Sequence, residues 1–132
     1  MKQIVVFGAT GYTGRLVVAA LTGSGLRPLL AGRSQQRLRE LSERYGGLDT
    51  AIADVTQPHS VRALVEDGDV LVSTVGPFLR YGEPALEAAV AAGAHYLDCT
   101  GEAGFVRRVF GEYGRRAQDA GCVLCVADCV RL

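Results

Sequence analysis

Lysine is nearly missing: Lys2 is the only one in 132 residues. A stand-alone short-chain reductase needs a tyrosine acid with a lysine four positions on, and none of the five tyrosines is followed by one. That class of self-sufficient reductase is excluded. Histidine is scarce too, with His59 at a helix start and His95 at a strand start, both expected at the surface. No set of nucleophile, base and orienting group is visible, so no catalytic residue is assigned. Net charge is also lacking: 14 basic and 14 acidic residues sum to zero. No overall field then draws the chain to nucleic acid or an anionic membrane, and any anion must be held locally. No run reaches the roughly 18 uncharged apolar residues of a membrane span. The start, "MKQIVVFGATG", passes from strand to glycine loop with no secretory h-region or cleavage site. A soluble, cytoplasmic protein without nucleic-acid or membrane partners is expected.

Cysteine is present but poorly arranged for chemistry. Cys122, Cys125 and Cys129 read C-x2-C-x3-C, and Cys99 stands apart. A terminal strand alternates its side chains, which would turn Cys122 and Cys125 to opposite faces. A zinc site wants loop-borne pairs and a fourth ligand. Free thiols in the core or near the surface are expected, with no metal and, in the cytosol, no disulfide.

What the chain does have is apolar content, 48% of residues, enough for one domain with one core over residues 1–132. Short Val/Ile/Leu runs alternate with segments of helical period. Strands are expected over residues 3–7, 27–32, 49–55, 69–76, 95–100 and 122–128. Helices are expected over residues 15–25, 34–47, 58–68, 83–94 and about 104–120. In the first helix Leu16, Val17, Ala20 and Leu21 are read as the inner side. This alternation predicts an α/β fold: a doubly wound parallel sheet (Rossmann fold) with helices on both faces.

The first strand runs into "GATGYTG", where Gly8, Gly11 and Gly14 form G-x-x-G-x-x-G and a helix follows at once. A glycine at such a turn takes backbone angles other residues avoid, and one without Cβ lets a pyrophosphate approach the helix N-terminus. The third lets helix and strand pack closely. Thr10 and Thr13 are expected to add hydroxyl hydrogen bonds to the phosphates, and Tyr12 belongs to the same loop.

The second strand ends in "LLAGRS". In NAD-binding versions of this architecture, a carboxylate about 20 residues past the loop accepts hydrogen bonds from the ribose hydroxyls. Arg33 stands there instead. A guanidinium pairs with a 2′-phosphate through two directed hydrogen bonds, where a carboxylate would repel it. Ser34 adds a hydroxyl and a helix-start amide, with Arg37 one turn later. NADP rather than NAD is the expected cofactor. Asp54, at the end of the third strand, is expected to bond the adenine amine, with Val55 against the ring; Asp is equally a helix N-cap residue.

The fourth strand ends in "STVGPFLRYG", which puts Val75, Gly76 and Pro77 beneath the nicotinamide half. Phe78 and Tyr81 are candidates to wall the pocket or to await a partner domain. The neighbouring strand end carries Thr100, Gly101 and Glu102. Glu102 is read as a helix macrodipole partner before an acid or base.

With "GATGYTG", "AGRS", "VGPF" followed by "YG", and "HYLDCTGE", the chain resembles the NADP-binding domain of the saccharopine dehydrogenase-like family, in particular its trans-acting enoyl reductase branch. The resemblance covers nearly the full length; "CVLCVADCVRL" departs from the small, glycine-rich continuation expected after the sixth strand. It implies a two-domain oxidoreductase in which this part holds NADP(H) and a later domain binds a small-molecule or acyl-thioester substrate. Hydride would pass to or from a C=C or C=N bond, and the isolated chain would be inactive. The alternative is a non-catalytic NADP-sensing or protein-interaction module of the same fold. A face left open by a missing domain would favour a homodimer.

Overall fold

The computed structural model describes residues 2–126. Ala127, Asp128 and Cys129, part of the expected last strand and its thiol set, lie outside the described residues. Six strands form one sheet: β1 (Ile4–Phe7), β2 (Leu29–Gly32), β3 (Thr50–Ile52), β4 (Val70–Ser73), β5 (His95–Asp98) and β6 (Leu124–Val126). They lie in the order β3-β2-β1-β4-β5-β6, every pair parallel. The connections are α1 (Tyr12–Gly23), α2 (Gln35–Arg44), α3 (Pro58–Arg62), α4 (Phe78–Tyr81), α5 (Glu83–Ala92), α6 (Ala103–Arg108) and α7 (Gly114–Ala120). This is the expected doubly wound α/β fold. The winding direction reverses between β1 and β4, and the crevice above their carboxyl ends is where ligands enter such sheets.

The side-chain alternation of the strands divides the core in two. Val5, Phe7, Ala31, Leu71 and Tyr96 face α3, α5 and the α6–α7 region in the larger cluster. Val6 and Leu30 face α1 and α2 with Val18, Leu38 and Leu41 in the smaller one. The second face is covered unevenly. Val6, Val72, Leu97 and Cys125 lie in register across β1, β4, β5 and β6; Val6 is buried, Val72 and Leu97 are half-buried, and Cys125 is exposed.

Two expectations about helices need correction. The inner stripe of α1 is Gly14 and Val18, with Val17 and Leu21 beside them, whereas Leu16 is 56% exposed and Ala20 is exposed. The close seating of Gly14 on the loop fixes the helix phase, and positions 14, 18 and 21 follow from it at helical spacing. The segment expected as one helix near 104–120 is α6 and α7 joined by a π-helical turn, Val109–Tyr113. Its buried residues Phe105, Val109, Tyr113 and Ala117 recur every four positions. In a straight α-helix that spacing drifts by about 40° per step, because a turn holds about 3.6 residues. One wider turn takes up part of the drift. The helix expected over 58–68 is shorter, Pro58–Arg62, and Val61, Leu64 and Val65 are buried.

Candidate functional site

The glycine loop has the geometry that its spacing requires. Gly8 has φ +85°, and a Cβ there would meet the Thr74 hydroxyl at 2.6 Å. A Cβ on Gly14 would lie 2.0 Å from the Gly8 carbonyl oxygen. Both glycines are therefore demanded by the protein itself. Gly11 is different: its nearest neighbour would be the Gly8 carbonyl oxygen at 3.5 Å, and its φ of −76° suits any residue. It caps α1 without a side-chain hydrogen bond, and the first turn of α1 holds no acidic residue. The amides that open α1 thus face the crevice end of the sheet with no acidic side chain in their own turn.

Above the β1–β4 switch lies a cavity of about 480 Å³, within the roughly 300–1,000 Å³ usual for ligand pockets. It brings together Gly8, Thr10 and Gly11 of the loop, Arg33 after β2, Asp54 and Val55 after β3, and Val75 and Gly76 after β4. Arg37 and Tyr81 line it too. Tyr12, Thr13, Gly14, Ser34 and Pro77, expected with them, flank the cavity without lining it; Tyr12 is 76% exposed. Phe78 is buried against Phe105, with ring centroids 5.7 Å apart, and so forms core instead of pocket wall.

Among the described residues neither Arg33 nor Arg37 takes part in an ion pair. Ser34 is the N-cap of α2, its Oγ accepting the Arg37 N–H at 3.3 Å. That cap holds the first turn of α2, and with it Arg37, at the cavity edge. Asp54 is not a helix cap. Its Oδ1 accepts the Thr56 N–H at 2.9 Å and the Thr56 hydroxyl at 2.8 Å, folding the turn after β3. The Thr56 amide, then its hydroxyl, and more weakly the Arg33 charge hold the carboxyl below its ordinary value.

Three lining residues escaped sequence reasoning: Phe7, Thr56 and Thr74; Gly32, at the end of the second strand, lines the cavity beside Arg33. Thr74 is the most informative, because its hydroxyl donates to the Phe7 carbonyl at 2.9 Å and lies 3.1 Å from that of Gly8. The signal was its place just after β4, but reading it required knowing that β4 adjoins β1. His95 also differs from expectation: it is half-buried, and its Nδ1 accepts the Val123 N–H at 3.0 Å. Glu102 does serve a helix start, that of α4 across the crevice. Its carboxylate accepts the N–H groups of Phe78 at 2.6 Å and Leu79 at 3.2 Å. The described residues hold no cluster of three or more potential metal ligands, and no described helix is long and apolar enough to cross a membrane.

Comparison with known proteins gives this geometry its context. Residues 4–125 match the family model described as the saccharopine dehydrogenase NADP binding domain. The chain is 37% identical over 131 residues to a trans-acting enoyl reductase of Mycobacterium ulcerans and 38% identical to one of Mycobacterium tuberculosis, covering 95% of this chain and 31% of each relative. It thus spans about a third of the length of these curated relatives. Among solved structures, saccharopine dehydrogenase (L-Glu forming) from Saccharomyces cerevisiae matches with a TM-score of 0.78 at 16% identity, over 96% of this chain and 27% of that one. Citrobacter sp. triphenylmethane reductase complexed with NADP(H) matches with a TM-score of 0.71 at 19% identity, over 94% of this chain and 48% of that one. These two likenesses concern the fold, whereas the family model spans almost every residue described above, and the chain belongs to the family of saccharopine dehydrogenase NADP-binding domains.

Proposed function

We propose that the chain is the cofactor-holding part of an NADP-dependent oxidoreductase whose substrate site is completed by a further domain. The observation that carries this reading is the pair Arg33 and Arg37, without an ion pair among the described residues and lining the same cavity as Gly8 and Gly11. The residues fit the group. Gly11 has no steric reason within the protein to lack a side chain, which a closely approaching pyrophosphate would supply. In this reading the loop amides and the opening turn of α1, residues 12–14, hold the pyrophosphate with the Thr10 and Thr13 hydroxyls. Arg33, Arg37 and Ser34 bind the 2′-phosphate. Asp54 and Val55 meet the adenine, and Val75, Gly76 and Pro77 underlie the nicotinamide.

Bound there, NADP(H) would supply hydride transfer to or from a polarised C=C or C=N bond. The chain's share is orientation and electrostatics. The names of the enoyl reductase relatives make an α,β-unsaturated acyl thioester the first substrate class to test, presented with the further domain. Among the described residues the cavity lining holds no lysine, histidine or cysteine, which supports a chain without turnover of its own. The same observation suits the second reading, a non-catalytic NADP-sensing or protein-interaction module. A cytoplasmic location is part of the same proposal. Two copies would pair through the half-covered face at Val72, Leu97 and Cys125 wherever no other domain covers it; a monomeric mass by light scattering at high concentration would rule that out.

Titration of purified chain with NADPH and NADH, by nicotinamide fluorescence or calorimetry, tests the core of this reading. NADPH should bind more tightly, and Arg33→Ala should remove most of the difference. Equal binding of both nucleotides, unchanged by the substitution, overturns the assignment. Reduction of an enoyl thioester by this chain alone would instead overturn the need for a further domain.

A further inference from the structure

The segment between β4 and α4 is pinned at both ends. At its start, the Thr74 hydroxyl donates to the Phe7 carbonyl at 2.9 Å and stands 3.1 Å from that of Gly8, which ties it to the glycine loop. At its end, the N–H groups of Phe78 and Leu79 donate to the two carboxylate oxygens of Glu102, at 2.6 and 3.2 Å. Only residues 75–77 lie between, and Val75 and Gly76 line the cavity. We infer that Glu102, which does not itself line the cavity, is a positioning residue for the nicotinamide half of the NADP(H) site, acting through the Phe78 and Leu79 amides on Val75 and Gly76. This rests on the cofactor reading given above.

Glu102 is suited to that task by what holds it. Pro77 caps α4 without a side-chain hydrogen bond, so the opening amides of α4 have no local acceptor and a carboxylate brought from elsewhere in the chain meets them. Both oxygens are engaged by amides, which leaves Glu102 as a clamp in place of an acid or base. The Glu102 N–H donates to the Thr100 hydroxyl at 3.1 Å, and the Thr100 N–H donates to Asp98 Oδ1 at 3.0 Å. Asp98 Oδ2 accepts the fully buried Tyr96 hydroxyl at 2.6 Å. The clamp is thus anchored through Thr100 and Asp98 to the core face of β5. Packing reinforces it, because Phe78 meets Phe105 and a Cβ on Gly82 would lie 2.7 Å from the Phe105 ring. Helix α4 therefore cannot slide along α6 without losing the Phe78–Phe105 contact. Without the carboxylate, the most direct consequence falls on residues 75–77, while Arg33, Asp54 and the glycine loop keep their own supports.

The test compares two ligands on the full chain by calorimetry: NADPH, and 2′,5′-ADP, which keeps the 2′-phosphate and lacks the nicotinamide. Glu102→Ala should weaken NADPH by about tenfold and leave 2′,5′-ADP within about twofold of its original affinity. Glu102→Gln, whose amide oxygen still accepts one N–H, should recover part of the loss. Should the alanine variant fail to fold, the same comparison on Glu102→Gln decides, with a selective NADPH loss expected. Equal weakening of both ligands, or no weakening of NADPH, overturns the positioning role alone. Failure of the unsubstituted chain to bind 2′,5′-ADP overturns the cofactor reading, and the role falls with it.

Discussion

Gly14 seats helix α1 so closely on Gly8 that a Cβ at position 14 would stand 2.0 Å from the Gly8 carbonyl oxygen. The obstacle is backbone, which has no rotamer to change. Gly14→Ala should therefore lose stability by about 1–3 kcal/mol, the cost of overpacking, despite the better helix propensity of alanine. Gly11→Ala is the control, because its Cβ meets nothing closer than 3.5 Å. It should cost less than about 1 kcal/mol yet weaken NADPH binding. Urea unfolding of both variants beside NADPH titration separates the two roles, and comparable unfolding midpoints for the pair would count against it.

The contrast between these glycines explains how much of the site the sequence could reveal. A strand, a glycine spacing and a helix start are contiguous, so the loop's geometry is set within a dozen residues and can be read there. Arg33 is legible for the same reason, as a strand end at a fixed distance from the loop. Thr74 and Glu102 are not. Thr74 matters because the sheet order brings the end of β4 beside β1, 66 residues away in the case of Gly8. Glu102 meets an amide 24 residues back, and nothing local to "CTGE" announces that partner. Leu16 failed for a related reason: the apolar pattern of α1 allows more than one phase, and Gly14 packing selects between them.

Tyr96 and Asp98 are two apart on β5, so both point into the larger core cluster, where the Tyr96 hydroxyl donates to Asp98 at 2.6 Å. Burial, then the Asp98 charge and hydrogen bond, push the phenol far above its ordinary value, so it stays protonated as a donor. Tyr96→Phe keeps the ring and removes that donor from a carboxylate that is only 7% exposed. The expected loss is about 1–3 kcal/mol, read by urea unfolding. A variant as stable as the original would mean the bond adds nothing net to the fold.

Glu87 and Arg116 join α5 to α7 through two hydrogen bonds, at 2.7 and 2.9 Å. Both side chains are 47% exposed, so solvent screening limits the pair to less than about 1 kcal/mol. The Arg116 hydrogen bond holds the Glu87 carboxyl below its ordinary value of 4.5. A depressed carboxyl contributes stability above the unfolded value and loses it as pH falls through the folded one. Glu87→Gln should thus be slightly less stable at neutral pH, with the gap closing as pH falls below 4.5. Thermal unfolding across that range checks it, and a gap that widened in acid would reverse the sign.

Cys122 and Cys125 flank the start of β6 in different surroundings. Cys122 is half-buried, with its Sγ 3.7 Å from the Ala117 carbonyl oxygen, and burial raises its thiol above the ordinary 9.0. Cys125 is exposed at the end of the register row from Val6. Alkylation proceeds through the thiolate, so a raised value and restricted access both slow Cys122. Iodoacetamide labelling in mildly alkaline buffer, followed by peptide mapping, should modify Cys125 first. The difference should narrow as pH climbs beyond 9.0 toward the raised Cys122 value; only above that value does deprotonation cease to limit Cys122 and access alone remain. It should vanish in denaturant, where both thiols are equally open. Equal rates in the folded protein would place Cys122 in open solvent and remove its packing against Ala117 of α7.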